Sequence, residues 1–280
     1  MRLASRVQRI APSATMMIDA TAKRMRQQGV DIIAFGVGEP DFDTPLHVKE
    51  AAERAMAEGF TKYTPAGGIP ELRHAVCEWL AREHGAAYDP AEVIITGGAK
   101  LALHLAFQAL LEPGDEVIVP APYWVSYVEQ VRLADGIPVV VATDEAGGFE
   151  LSPDAVRAAL TPRTRAIVIN SPANPTGAVY RRETLAALAA LAVERGLFII
   201  SDEIYEPFVY GTHRHTSIVS LGDALRAQAL LIHGVSKSHA MTGWRIGFAV
   251  GPRALIDAMI SLQSHTLSCA TSIAQRAALA

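Results

Sequence analysis

Beyond residue 92 the chain alternates between short β-rich runs and helical patterns, and few folds accommodate that alternation. The β-rich runs fall at 93–96, 116–119, 137–141, 165–169, 197–201, 229–233 and 245–250. Helical patterns at 99–111, 124–134, 153–160 and 181–195 separate most of them. A helix between two strands carries the chain back across the sheet, so the pattern predicts an α/β fold with a mostly parallel, doubly wound sheet covered on both faces. Upstream, Ser13 reads as the N-cap of a helix that runs to Gln28 and is closed by Gly29. Residues 31–35 read as a short strand and Gly36 to Asp41 as a loop. Thr44-Pro45 opens a helix that stops near Gly59, and another spans Pro70 to His84. The stretch 142–152, with Asp144, Gly147, Gly148 and Ser152, reads as a surface loop.

With 280 residues, half of them hydrophobic, the chain can bury one large core, or a large domain with a small companion. A formal net charge of −4 offers no basic excess for nucleic acid. Cys77 and Cys269, far apart in sequence, do not make a disulfide framework and fit a reducing cytoplasm. The longest apolar runs, such as Leu197 to Ile200, are too short to cross a bilayer. Arg2, Arg6 and Arg9 precede the first acid, Asp19, as in a transit peptide, but no apolar signal core follows them.

In an open α/β sheet, ligands bind beyond the carboxyl ends of the strands. The segments that follow the β-rich runs are Gly97-Gly98-Ala99-Lys100, Pro120 to Trp124, Asn170 to Gly177, Asp202-Glu203-Ile204-Tyr205 and Gly234-Val235-Ser236-Lys237. Five polar, aromatic or glycine-rich segments are thus expected to meet at one edge.

Each has two readings when taken singly. The Gly97–Lys100 loop is either an ordinary turn or a phosphate cradle made of free helix amides. Lys100, a cation set against the helix dipole, is easier to account for with an anion nearby. The glycine spacing matches neither a P-loop nor a dinucleotide fingerprint. Trp124 either fills core or stacks on a planar ring. Asn174 is a turn residue or a ligand donor, and Asp202 a helix N-cap or a buried carboxylate in need of a partner. Lys237, among small apolar neighbours, is a solvated lysine or an amine whose lowered pKa suits nucleophilic attack. Arg245, eight residues on, forms a surface salt bridge or grips a phosphate bidentately. His213 and His215 lack the further ligands of a metal site and read as loop histidines, and no Gly-x-Ser-x-Gly elbow supports a hydrolase.

Together these residues resemble the class I aminotransferases, enzymes of fold type I that depend on pyridoxal phosphate (PLP). The likeness rests on Ser236-Lys237 followed by Ala-Met-Thr-Gly-Trp-Arg-Ile-Gly at 240–247, Asn-Pro-Thr-Gly at 174–177, Ser-Asp-Glu-Ile-Tyr at 201–205 and Pro-Tyr-Trp at 122–124. Gly-Glu-Pro-Asp-Phe at 38–42 and Lys-Tyr-Thr-Pro-Ala-Gly-Gly at 62–68 extend it over essentially the whole chain. It is strongest to the bacterial aspartate/prephenate subgroup. The resemblance implies a large PLP-binding domain at 45–280 with a seven-stranded sheet, preceded by an N-terminal arm and part of a small domain at 1–44. It implies Lys237 as covalent anchor and proton shuttle, Asp202 as partner of the ring nitrogen, and Tyr205 and Asn174 as partners of the ring's phenolate oxygen. Trp124 would stack on the ring. Arg245, Ser236 and the backbone of Gly98, Ala99 and Lys100 would hold the phosphate. Gly38 would offer its amide to the substrate carboxylate, with Trp124 and Asn174 beside it. Tyr63 would reach the phosphate of a neighbouring subunit, which implies a homodimer.

Two departures stand out. Gly-Ala-Lys at 98–100 replaces a pattern rich in hydroxyl residues, and in the subgroup that lysine reads the distal carboxylate of acidic substrates. The family's chains also continue past the position of Ala280. The sequence is therefore expected to lack most of the small domain and the arginine that clamps the α-carboxylate, and to bind PLP while transaminating poorly. Amino transfer between aspartate or glutamate and a 2-oxo acid is the expected activity. A β-lyase on the same fold and an inactive PLP-binding fragment are the alternatives.

Overall fold

The computed structural model describes residues 2–33 and 35–280, without the side chain of Arg6. In chain order the helices are α1 (Ser5–Gln8), α2 (Ala14–Gln27), α3 (Leu46–Ala57), α4 (Pro70–His84), α5 (Ala99–Leu110), α6 (Ser126–Leu133), α7 (Pro153–Ala159), α8 (Arg182–Arg195), α9 (Val235–Ser238), α10 (Arg253–Thr266) and α11 (Ser272–Leu279). The strands are β1 (Val93–Thr96), β2 (Glu116–Ala121), β3 (Ile137–Ala142), β4 (Thr164–Asn170), β5 (Phe198–Asp202), β6 (Ala229–Gly234) and β7 (Gly247–Val250). They form one sheet in the order β1-β7-β6-β5-β4-β2-β3. β2 through β6 pair in parallel, and β7 lies antiparallel to both β6 and β1. The sheet is thus seven-stranded and mostly parallel, as expected.

Helices cover both faces, which is why the inner strands are apolar along their length rather than alternating. Val93, Ile95, Ile167, Ile199 and Leu231 pack with residues of α4, α7, α8 and α11. Their neighbours Ile94, Val168, Ile200 and Leu230 pack on the other side with α5, α6 and α10. Ser13 caps α2 by accepting from the Met16 amide at 3.4 Å, and Gly29 follows the helix at φ +82°. Proline at N1 and a left-handed Gly85 frame α4.

Three expectations need correction. Described residues 31–33 and 35 are not a strand, and Ala34 lies outside the described residues. Ile33 and Phe35 face solvent, and no sheet neighbour supplies the hydrogen bonds a strand needs. The last strand begins at Gly247 rather than residue 245, because Arg245 sits in the left-handed region at φ 58°. The stretch 142–152 is an exposed loop at 144–148, as expected, but it starts on β3 and is anchored by the fully buried Leu151, which donates its amide to Tyr180 Oη at 2.9 Å.

Candidate active site

β1, β2, β4, β5 and β6 all run toward one edge of the sheet, and the reversed β7 starts from it. The loop after β6 and the residues just before β7 are therefore neighbours. A cavity of about 290 Å³ opens at this edge. Lys237, Asp202, Tyr205, Trp124 and Asn174 line it, together with Gly38, Ala99, Lys100, Ser236 and Arg245. Gly98 stands behind it as the N-cap of α5, at φ +101°.

Asp202 ends β5 almost fully buried. Its Oδ2 accepts from Tyr127 Oη at 2.8 Å and its Oδ1 from the Ile204 amide at 3.3 Å. No helix follows, so Asp202 is not a helix N-cap. Burial pushes its carboxyl up to about 6, against the pull of Tyr127, Ile204 and His233. Burial also raises the Tyr205 hydroxyl, helped by the charge of Asp202 and opposed by the Asn174 amide.

Lys237 lies on the single turn of α9, half-buried, and its Nζ donates to the Gly38 carbonyl. Burial lowers its pKa and Arg245 and Lys100 add to that, while Glu39 and Asp202 oppose. Burial, then Arg245, lowers Lys100 as well. Lys100 Nζ sits 4.8 Å from the centre of the Trp124 ring. The Arg245 guanidinium donates to the Thr242 carbonyl at 2.8 Å and the Gly97 carbonyl at 3.3 Å. It lies so close to Gly98 that a Cβ there would run into it. Three cations and the first amides of α5 thus share a cavity in which the one lining carboxylate is already hydrogen-bonded, an arrangement that favours an anion.

Tyr63 is set apart: 88% exposed, it does not line this cavity. Sequence reasoning missed Tyr127, Asn170 and the start of α2 (Ser13, Thr15, Met16), which also line it. Asn170 Nδ2 donates to the Asp202 carbonyl at 2.8 Å, while its Oδ1 accepts from the Asn174 amide at 2.7 Å. The spacing of Trp124 and Tyr127, three apart at the start of a helical pattern, was the available signal. His215 is no free loop histidine. Its buried ring lies 3.0 Å from the buried Glu203 carboxylate.

The family model for "Aminotransferase class I and II" matches residues 30–280. The chain is 53% identical over 280 residues to an aspartate aminotransferase of Geobacillus stearothermophilus, covering 100% of this chain and 71% of that protein. It is 53% identical over 278 residues to an aspartate/prephenate aminotransferase of Thermus thermophilus, covering 99% of this chain and 71% of that one. A solved structure of Thermus thermophilus aspartate aminotransferase with maleate superposes with a TM-score of 0.96 at 53% identity, over 100% of this chain and 72% of the other.

Proposed function

The chain belongs to the class I and II aminotransferases, and we propose that its cavity binds PLP through Lys237 and moves an amino group between aspartate or glutamate and a 2-oxo acid. One observation carries the reading: a half-buried lysine, a buried carboxylate and an anion cradle share a single cavity. The cradle fits the cofactor's phosphate, because only glycine at 98 lets the guanidinium lie against the start of α5. The cavity also has an aromatic wall, Trp124, suited to a planar ring.

When bound, PLP supplies an electron sink for the bond broken at the substrate's α-carbon. Asp202 would hold the proton on the ring nitrogen. Tyr205 and Asn174 would donate to the ring oxygen, and Arg245, Ser236 and the backbone of Gly98, Ala99 and Lys100 would grip the phosphate. Lys237 Nζ, with its lowered pKa, is suited to anchor the cofactor and then to carry the proton taken from the α-carbon. The Gly38 amide would meet the substrate's carboxylate, and a Cβ at Gly38 would come within 2.6 Å of Tyr205 Oη. Lys100 is the side chain we assign to the distal carboxylate of acidic substrates. The Thermus structure carries maleate, a four-carbon dicarboxylate.

Tyr63 is assigned to the phosphate of a second copy, making the working enzyme a homodimer. Its exposure and that of Phe42, at 82%, support this assignment. Residues 1–44 form the arm and small-domain part in this reading, and 45–280 the cofactor domain; α2 buries no side chain within the chain. Among the described residues no helix is long and apolar enough to cross a membrane, and we assign the enzyme to the cytoplasm.

Borohydride reduction of the PLP-loaded protein, followed by peptide mapping, tests the assignment. Lys237 is expected to carry the label, and a label on Lys100 or Lys62 would overturn it. Whatever turnover aspartate and 2-oxoglutarate support is expected to yield glutamate and oxaloacetate, whereas a β-lyase would release pyruvate and ammonia from an amino acid with a leaving group on its β-carbon, such as a cysteine S-conjugate.

A further inference from the structure

We infer that two buried glutamines, Gln263 and Gln275, are positioning residues that hold the Tyr63 loop ready to complete the cofactor site of a second copy of the chain. The inference rests on the reading above that Tyr63 serves the partner. Both glutamines are fully buried, where an amide is costly unless bonded. Gln275 spends both ends of its amide, and Gln263 its Nε2, on one loop and its surroundings, while Gln263 Oε1 meets no partner among the described residues. Gln275 Oε1 accepts from the Ile69 amide at 2.8 Å, and its Nε2 donates to Thr64 Oγ1 at 3.0 Å and to the Ala270 carbonyl at 2.8 Å. Gln263 Nε2 donates to the Ala66 carbonyl at 2.5 Å and the Ile95 carbonyl at 2.8 Å. Ser272 Oγ reaches the Phe60 carbonyl at 3.0 Å, and the Ile95 amide donates to the Gly67 carbonyl at 2.9 Å.

The loop is therefore tied at Phe60, Thr64, Ala66, Gly67 and Ile69, while Thr61, Lys62 and Tyr63 between the ties remain exposed. A surface loop held this firmly, with an aromatic ring at its tip that touches nothing in its own cavity, is built to act outside the chain. Fixing the tip beforehand removes the ordering cost that would otherwise weaken the contact. The side-chain ties come from α10 and α11 and the Gly67 tie from β1, so those helices of one subunit are assigned to the other subunit's cofactor.

Hybrid dimers separate this role from ordinary stabilisation. In the first, the Gln275→Met chain also carries Lys237→Ala and its partner is unchanged. The single covalent site then receives Tyr63 from the altered loop. In the second, the chain with the intact glutamine carries Lys237→Ala, so the site lies on the Gln275→Met chain and receives Tyr63 from an intact loop. PLP affinity is read by titrating the absorbance of the lysine-linked cofactor. The first hybrid is expected to bind about tenfold more weakly, the scale of one lost hydrogen bond to a charged group, and the second to be unchanged. Ser272→Ala, a milder change, is run in the same arrangements and is expected to show the same asymmetry at about threefold. Equal losses in both hybrids, or no loss in either while Tyr63→Phe weakens the first, would overturn the inference alone. A Tyr63→Phe donor that leaves PLP affinity unchanged would overturn the reading beneath it as well.

Discussion

Tyr127 Oη donates to Asp202 Oδ2 at 2.8 Å, so a neutral phenol steadies the buried carboxylate where a salt bridge would bring a second charge. That choice leaves Asp202 at about 6. Tyr127→Phe removes one of the bonds that favour the ionised form, so the carboxyl should titrate still higher. We expect the acid limb of PLP binding to the cofactor-free protein to move upward and PLP affinity near pH 7 to fall about tenfold. PLP titrations across pH check this. An unchanged profile would mean that Tyr127 only packs against Trp124, whose ring it meets edge-on at 5.4 Å.

The same burial makes Asp202 a burden on the cofactor-free fold. A carboxyl raised from 3.8 to about 6 binds its proton more tightly folded than unfolded. Its charge therefore costs stability above about pH 6, and the cost fades as pH falls toward 3.8. Asp202→Asn should stabilise the PLP-free protein by up to about 3 kcal/mol at pH 8, and by less at pH 5. It should also nearly abolish proton abstraction, because an amide cannot keep a ring nitrogen protonated. Urea titrations at the two pH values check the first claim, and half-reaction rates the second.

Lys100→Ala should lose activity toward aspartate or glutamate, chiefly through KM, and retain it toward phenylalanine. A lost ion pair in this partly buried setting is worth about 2 kcal/mol, roughly thirtyfold. Comparing kcat/KM for aspartate and phenylalanine is the measurement. Equal losses would move Lys100 from substrate recognition to the phosphate.

Gly98→Ala confronts two obstacles, a φ of +101° and the Arg245 guanidinium in the space its Cβ would occupy. We expect a stability loss of about 1–3 kcal/mol, and PLP affinity at least tenfold lower as the guanidinium is displaced. Equilibrium unfolding and PLP titration read the two effects separately.

The His215–Glu203 pair should make stability depend on pH from both sides. Burial lowers the imidazole pKa, but the Glu203 bond outweighs it and leaves His215 raised. Its contribution is complete below about 6.5 and is lost as pH climbs through the folded value. Burial raises Glu203, but His215 and the Ile218 amide outweigh it and leave the carboxyl depressed. Its contribution is complete above about 4.5 and is lost as pH falls through the folded value. His215→Ala should cost about 3–5 kcal/mol near pH 6. Melting temperatures of the two proteins across pH 5–9 should draw closer toward the alkaline end without meeting, because the neutral imidazole still fills its place and bonds the buried Glu203 carboxylate.

Strands were legible wherever both faces are buried, because Ile94, Ile95, Val168 and Ile200 leave no polar alternation to confuse the pattern. Residues 31–33 and 35 misled for the same reason in reverse, since apolar letters do not reveal whether a neighbouring strand exists. Motif spacing drew Lys237 and Asp202 together because parallel strands end at one edge, and Arg245 joins them because the reversed β7 starts there. What the motifs hid were residues whose chemistry depends on a distant partner. Tyr127 carries no sequence signal of its role until Asp202 lies 2.8 Å away, and His215 reads as loop until Glu203 meets it. The strand boundary at Gly247 was hidden by a left-handed arginine, a conformation its side chain does not announce.

Among the described residues β1 has a single sheet neighbour, β7, with Val93 opposite Val250. On the ribosome the first strand therefore emerges long before its partner exists. At about 5–20 residues per second the wait is on the order of 10–30 s, during which the apolar run Val93–Ile95 has no strand to pair with. The five strands β2 through β6 can zip together meanwhile, each beside one made recently. Closing the sheet then means threading β7 between β6 and β1, and its pairing with β1 is of high contact order, which should slow folding. Production of this protein should accordingly respond to slower translation and to chaperones that shield early strands.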